Sequence, residues 1–144
     1  MRGITAMSGP GSLVRVVLVE DNPGDVFLIQ EALREKGLHF ELAHYPDGEE
    51  AWQAMATADT LPDLILLDLN LPKIEGVNLL RRIRMHARLA AVPVAVLTSS
   101  QSPQDEQQVM QYGAARFIRK SATLDEFLEG VGGAVVDILV ERRT

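Results

Sequence analysis

The chain has 144 residues, 47% of them hydrophobic and 24% charged, with a formal net charge of −6. That length and balance fit one globular domain with a sizeable core, and the acidic surplus argues against a nucleic-acid surface, which wants a basic face. The absence of cysteine excludes disulfides, thiolate zinc sites and cysteine nucleophiles.

Met1 to Ser12 carries a Gly-Pro-Gly turn but no apolar core of signal-peptide length, and no run in the chain is long enough to cross a bilayer. Residues 1–12 read as a flexible tail, and 13–144 as a single domain of a cytoplasmic protein with no membrane partner. Val14 to Glu20 is an apolar run interrupted by Arg15, which predicts a strand stopping at Glu20-Asp21. Asn22-Pro23-Gly24-Asp25 predicts a turn, and a helix follows from about Asp25 to Lys36, with Leu28, Ile29, Ala32 and Leu33 as its buried stripe and Gly37 as its terminal cap. Phe40 to Tyr45 alternates apolar and polar residues, as a strand near a sheet edge would. Asp47-Gly48 then leads a helix to about Ala58, and Pro62 ends that region.

Leu64 to Leu67 is apolar on both faces and ends on Asp68, the pattern of a strand covered on each side by helices. Asp68 is either a reactive or metal-binding carboxylate at a strand's carboxyl end or a cap in the turn containing Pro72 and Gly76. Val77 to Leu89 has helical spacing at Val77, Leu80, Ile83 and Ala87, with Arg81, Arg82, Arg84 and Arg88 mostly facing water. Val92 to Ser99 predicts a buried strand ending on Thr98-Ser99-Ser100. Ser102-Pro103 reads as an N-cap and first helical residue for a helix to about Tyr112, closed by Gly113. Ala115 to Lys120 is the fifth strand. Thr123, with Glu126 completing a capping box, starts a last helix to about Arg142, whose sheet-facing stripe is Leu124, Phe127, Leu128, Val131, Val135 and Ile138.

Five strands alternating with five helices predict an α/β fold, a doubly wound parallel sheet with helices on both faces. In such a sheet the strand ends lie along one edge, so Glu20, Asp21, Asp68, Thr98 and Lys120 converge on one site. Carboxylates gathered this closely repel one another unless a cation intervenes, and hard oxygen donors suit Mg²⁺ beside a phosphate. Lys120 offers a point charge and Thr98 a hydroxyl to a phosphoryl group's oxygens, and Asp68 is the best nucleophile present.

With these residues in view, the chain resembles the receiver domains of two-component response regulators over about Val14 to Val140. Glu20-Asp21 resembles that family's acidic pair, Asp68-Leu69-Asn70-Leu71-Pro72 with Gly76 its phosphoacceptor segment, and Thr98 and Lys120 its hydroxyl and lysine. The resemblance implies a flavodoxin-like sheet of strand order 2-1-3-4-5 and phosphoryl transfer from a histidine kinase to Asp68. It also implies Mg²⁺ held by Glu20, Asp21, Asp68 and the Asn70 carbonyl. Phe117 matches an aromatic position that changes rotamer on activation, although ordinary core packing is the competing reading. Val19-Glu20-Asp21-Asn22-Pro23-Gly24-Asp25 looks more specifically like single-domain regulators paired with phytochrome-type kinases. Two departures stand out. Glu20 replaces an aspartate, which moves its carboxylate outward, and Ser121 replaces a proline that often follows the lysine.

His39, His44 and His86 read as surface or loop residues and Trp52 as packing. Ser99 and Ser100 either touch the phosphoryl group or form a polar loop. Gly130, Gly132 and Gly133 lie within the last helix beside Val136 and Val140, a face another surface could approach closely. We expect a homodimer through the last helix and the fifth strand, part of the surface that switches with the fourth helix. A phosphatase is disfavoured because Asn70 stands where a second acid is usual; a receiver-like interaction module that is never phosphorylated is the other alternative.

Overall fold

The computed structural model describes residues 13–120 and 123–143; the expected tail and Ser121 lie outside them. Ten elements alternate along the chain: β1 (Val14–Val19), α1 (Pro23–Glu35), β2 (Phe40–Tyr45), α2 (Gly48–Thr57), β3 (Leu64–Asp68), α3 (Gly76–Met85), β4 (Val94–Thr98), α4 (Pro103–Gln111), β5 (Arg116–Arg119) and α5 (Leu124–Arg143). All strands are parallel, in the order β2-β1-β3-β4-β5. The alternating Phe40–Tyr45 segment therefore forms an edge, as its pattern predicts.

Side-chain alternation along the strands divides the core in two. Val17, Val19, Ile65, Leu67, Val94 and Val96 face a layer built from α2, α3 and α4, where Met55, Leu79, Leu80, Ile83 and Val109 pack. Val16, Leu18, Leu64, Leu66, Ala95 and Leu97 face α1 and α5 through Ile29, Leu33, Phe127, Val131 and Val135. Leu64, Ile65, Leu66 and Leu67 are all fully buried, each contributing about 2 kcal/mol in apolar burial. That load fixes β3 at the centre of the sheet and with it the height of Asp68.

Several boundaries differ from the sequence expectation. α1 begins at Pro23 rather than Asp25, because Asn22 caps it, accepting a hydrogen bond from the Asp25 backbone at 3.1 Å. Gly37, with φ of +72°, ends that helix as expected. α3 stops at Met85 rather than Leu89 because the His86 backbone turns extended. Leu79 rather than Ala87 belongs to its buried face, and Ala87 is exposed.

Arg84 is half-buried instead of solvated, which corrects its expected place on a water-facing stripe. Its Nε donates to Gly113 O at 3.1 Å, and its Nη1 donates to Ala90 O at 3.0 Å and Val92 O at 2.8 Å. In α5, Leu124 is exposed and Leu139 takes a place in the core. Thr123 Oγ1 accepts from the Glu126 backbone at 3.3 Å, which makes the first half of the expected capping box. Gly132 lets α5 lie against α1, since a Cβ there would stand 2.9 Å from Lys36 Cγ and 3.1 Å from Ala32 O. Among the described residues no helix is long and apolar enough to cross a membrane.

Candidate functional site: an acidic cleft at the strand ends

The pairings Val19↔Leu67, Asp68↔Leu97 and Thr98↔Arg119 bring the strand ends level. Glu20 follows β1, Asp68 ends β3, Thr98 ends β4 and Lys120 follows β5, so the parallel sheet gathers the expected residues on one edge. Glu20, Asp21 and Asp68 each offer a carboxylate oxygen, and these lie within 4.8 Å of one another. Glu20 is fully buried, Asp68 nearly so and Asp21 exposed, which makes Asp21 the open side of the cleft. The Glu20 carboxylate is enclosed in the cleft. It accepts from the Asn22 backbone at 3.2 Å and from Lys120 Nζ at 2.9 Å.

Lys120 also donates to Asp25 Oδ2 at 2.8 Å and stands 3.7 Å from Asp68 Oδ2. Asp25 is a site residue that sequence reasoning missed, having been read only as the start of a helix. Its place in the first turn of a capped helix, four residues after Asp21, was the available signal. Burial pushes the Glu20 carboxyl up to about 7 against the pull of Lys120, and the charge of Asp68 adds to the rise. Burial likewise raises Asp68, while Lys120 and the Asn70 backbone N–H oppose it. Lys120 is held above its ordinary value: its burial is outweighed by the hydrogen bonds to Asp25 and Glu20 and by the charges of Asp68 and Glu20. Lys120 thus stands against Glu20, Asp25 and Asp68, and with Asp21 beside them the carboxylates leave a surplus of negative charge that a cation would balance.

Asn70 is exposed, and its backbone N–H donates to Asp68 Oδ1 at 3.2 Å. The loop beyond Asp68 is tightly seated. A Cβ on Gly76 would meet Leu69 Cα at 2.6 Å and Asp68 O at 2.7 Å, so this position admits only glycine without a backbone shift.

Thr98 is buried, and its Oγ1 accepts from the Ser100 backbone at 3.0 Å. Ser100 Oγ in turn donates to Asp105 in the first turn of α4, so Ser100 joins Thr98 to that helix. Phe117 is half-buried against the α2–α4 layer, with the Arg119 guanidinium 5.0 Å from its ring centre. His44 is exposed on β2, with Nε2 2.7 Å from the Glu20 carbonyl oxygen, to which it donates in the Nε2-protonated tautomer. His86 makes an edge contact with Trp52, a packing role for that indole as expected.

Residues 16–131 match the family described as the response regulator receiver domain. The chain belongs to that family. It is 34% identical over 123 residues to the response regulator Rcp1 of Synechocystis sp., covering 82% of this chain and 84% of that one. It is also 35% identical over 124 residues to the transcriptional regulatory protein TrcR of Mycobacterium tuberculosis, covering 85% of this chain but 46% of TrcR. This receiver thus spans less than half the length of that relative. Among solved structures it is similar to a phosphorylated cyanobacterial phytochrome response regulator, RcpA, with a TM-score of 0.83 and 35% identity, covering 90% of this chain and 96% of RcpA. It is likewise similar to the Mn²⁺-bound form of Rcp1, with a TM-score of 0.78 and 33% identity, covering 83% and 90% of the two chains. The flavodoxin-like strand order and the acidic pocket are those of a receiver.

Proposed function

We propose that this receiver is a phosphoacceptor in a two-component relay, taking a phosphoryl group from a histidine kinase onto Asp68. The observation that carries this reading is the meeting of Glu20, Asp21 and Asp68 within 4.8 Å, with Lys120 3.7 Å from Asp68. The donor set fits Mg²⁺, which Glu20, Asp21, Asp68 and the Asn70 carbonyl would hold. When bound, the ion supplies charge neutralisation for the phosphoryl oxygens. An Asp68 carboxylate oxygen attacks phosphorus, the bond to the kinase imidazole breaks, and the released imidazole takes a proton from solvent. Lys120 and the Thr98 hydroxyl stabilise the oxygens that carry the developing charge. Water then returns the aspartate and releases inorganic phosphate, a hydrolysis the receiver itself accelerates.

Engagement of Thr98 by the new oxygens draws on its link through Ser100 to α4, and Phe117 turns inward as the α4-β5-α5 surface rearranges. On that surface Leu124 and Val140 are exposed, and it serves as the interface of a homodimer. Likeness to Rcp1 and to the phytochrome response regulator RcpA supports a phytochrome-type kinase as partner, as does the Asn22-Pro23-Gly24-Asp25 loop. Residues 13–144 act as one receiver unit.

Incubated with Mg²⁺ and acetyl phosphate, the chain is expected to gain one phosphoryl group by intact mass. Asp68→Asn, or wild type in chelator, should gain none. Labelling of Asp68→Asn at the wild-type rate defeats the assignment. Transfer from a panel of histidine kinases of the same organism then identifies the donor.

A further inference from the structure

Lys120 reaches across the cleft with three N–H donors, and two are already committed, to Glu20 Oε1 at 2.9 Å and Asp25 Oδ2 at 2.8 Å. Asp68 Oδ2, at 3.7 Å, is beyond hydrogen-bond reach of the same ammonium. The group that is to serve the anion on Asp68 therefore rests on two other carboxylates. One of them, Glu20, belongs to the proposed metal set and would turn to the cation. The other, Asp25, stands outside that set.

Asp25 is fixed where it is by the chain around it. Asn22 caps α1 with its side-chain oxygen on the Asp25 backbone N–H at 3.1 Å, and Pro23 sets the first helical residue. An acid in the first turn of a helix also favours the helix dipole, a role that needs no particular partner. Here the carboxylate is instead directed at an ammonium 95 residues away in the chain, and three quarters of its side-chain surface is covered.

We propose that Asp25 is a positioning residue that holds Lys120 back from Asp68 and so sets the rate at which Asp68 is phosphorylated. This rests on the reading of Asp68 as the phosphoacceptor. An oxygen arriving on Asp68 competes with Asp25 for the position of the ammonium, which stands 2.8 Å from Asp25 Oδ2 and 3.7 Å from Asp68 Oδ2, and stretching the Asp25 hydrogen bond to bring Lys120 across is part of the barrier to transfer. Neutralising Asp25 removes the competitor without touching the proposed metal ligands, the acceptor or Lys120 itself. The Asn22 cap contacts the backbone of residue 25, so it survives the substitution.

The test measures phosphorylation rates of the full chain with Mg²⁺ across a series of acetyl phosphate concentrations, for wild type, Asp25→Asn, Asp25→Ser and Asp25→Glu. Asp25→Asn and Asp25→Ser are expected to raise the rate at saturating donor by about fivefold, while Asp25→Glu stays within about twofold of wild type. The saturating rate is the informative quantity, because loss of mere repulsion toward an anionic donor changes only the concentration needed for half-saturation. Rates for both neutral variants equal to wild type, or a change confined to half-saturation, overturn the positioning role while leaving Asp68 as acceptor. Absence of phosphorylation in wild type and variants alike overturns the acceptor reading, and the role of Asp25 with it.

Discussion

A carboxylate as enclosed as that of Glu20, 2.9 Å from one ammonium and beside Asp68, ties the stability of the receiver to pH. Its carboxyl rises from 4.5 to about 7 in the folded chain, so the native state holds that proton more tightly than the unfolded state does. Stability from this group is full below about 4.5 and declines as pH climbs through about 7. Asp68 is shifted in the same direction and acts with the same sign. Lys120 is raised as well, so its contribution persists through neutrality and is lost only in strong alkali. In chelator, calorimetry is expected to give a higher melting temperature at pH 5.5 than at pH 7.5. Added Mg²⁺ should raise the value at pH 7.5, and Glu20→Gln should remove most of the slope; an unchanged slope in that variant shows that the dependence arises elsewhere. The sequence revealed Glu20, Asp21, Asp68, Thr98 and Lys120 because each sits at or just beyond an apolar run whose direction the alternating pattern fixes. The His44 contact to the Glu20 carbonyl was hidden, since spacing does not say which way an edge side chain turns, and the position of Asp25 in the first turn of α1 did not say that its carboxylate reaches Lys120.

At the scale of the element, α5 carries its glycines for different reasons. Gly132 is pressed against Lys36 and the Ala32 carbonyl, whereas a Cβ on Gly130 or Gly133 meets nothing within 4 Å. Gly130→Ala and Gly133→Ala should each stabilise the chain by about 1 kcal/mol through helix propensity. Gly132→Ala should be neutral or destabilising, because Lys36 and α1 must give way. Urea titrations compare the three, and equal gains at all three positions contradict the packing role of Gly132. Tertiary contacts of this kind explain where sequence periodicity failed. The pattern of α3 extends to Leu89 on apolar spacing alone, yet the chain turns at His86, and the carbonyls of Ala90 and Val92 satisfy Arg84 instead of a continued helix. α5 shows the same limit: Leu124 fits the stripe but is exposed, while Leu139 packs in the core.

Across the whole molecule, the two apolar layers hold the sheet, and the outer surface of α4, β5 and α5 adds ion pairs to that packing. Arg119 pairs with Glu106 and Arg116 with Glu141, the acids exposed and the arginines half-buried, and such surface pairs are worth roughly 0–1 kcal/mol. Light scattering of the phosphorylated chain at high concentration is expected to show two copies, and Leu124→Glu should return it to one. A monomer under both phosphorylated and unphosphorylated conditions rejects the dimer.

Arg84 adds a mechanical consequence. By donating to the carbonyl of Gly113 it fastens the trailing end of α4, while the leading end is joined through Ser100 and Asp105 to the Thr98 hydroxyl and through Glu106 to Arg119. The firmer attachment of α4 thus lies at the end away from the cleft. A shift of Thr98 on phosphorylation is therefore expected to swing the leading end of α4 rather than slide the entire helix.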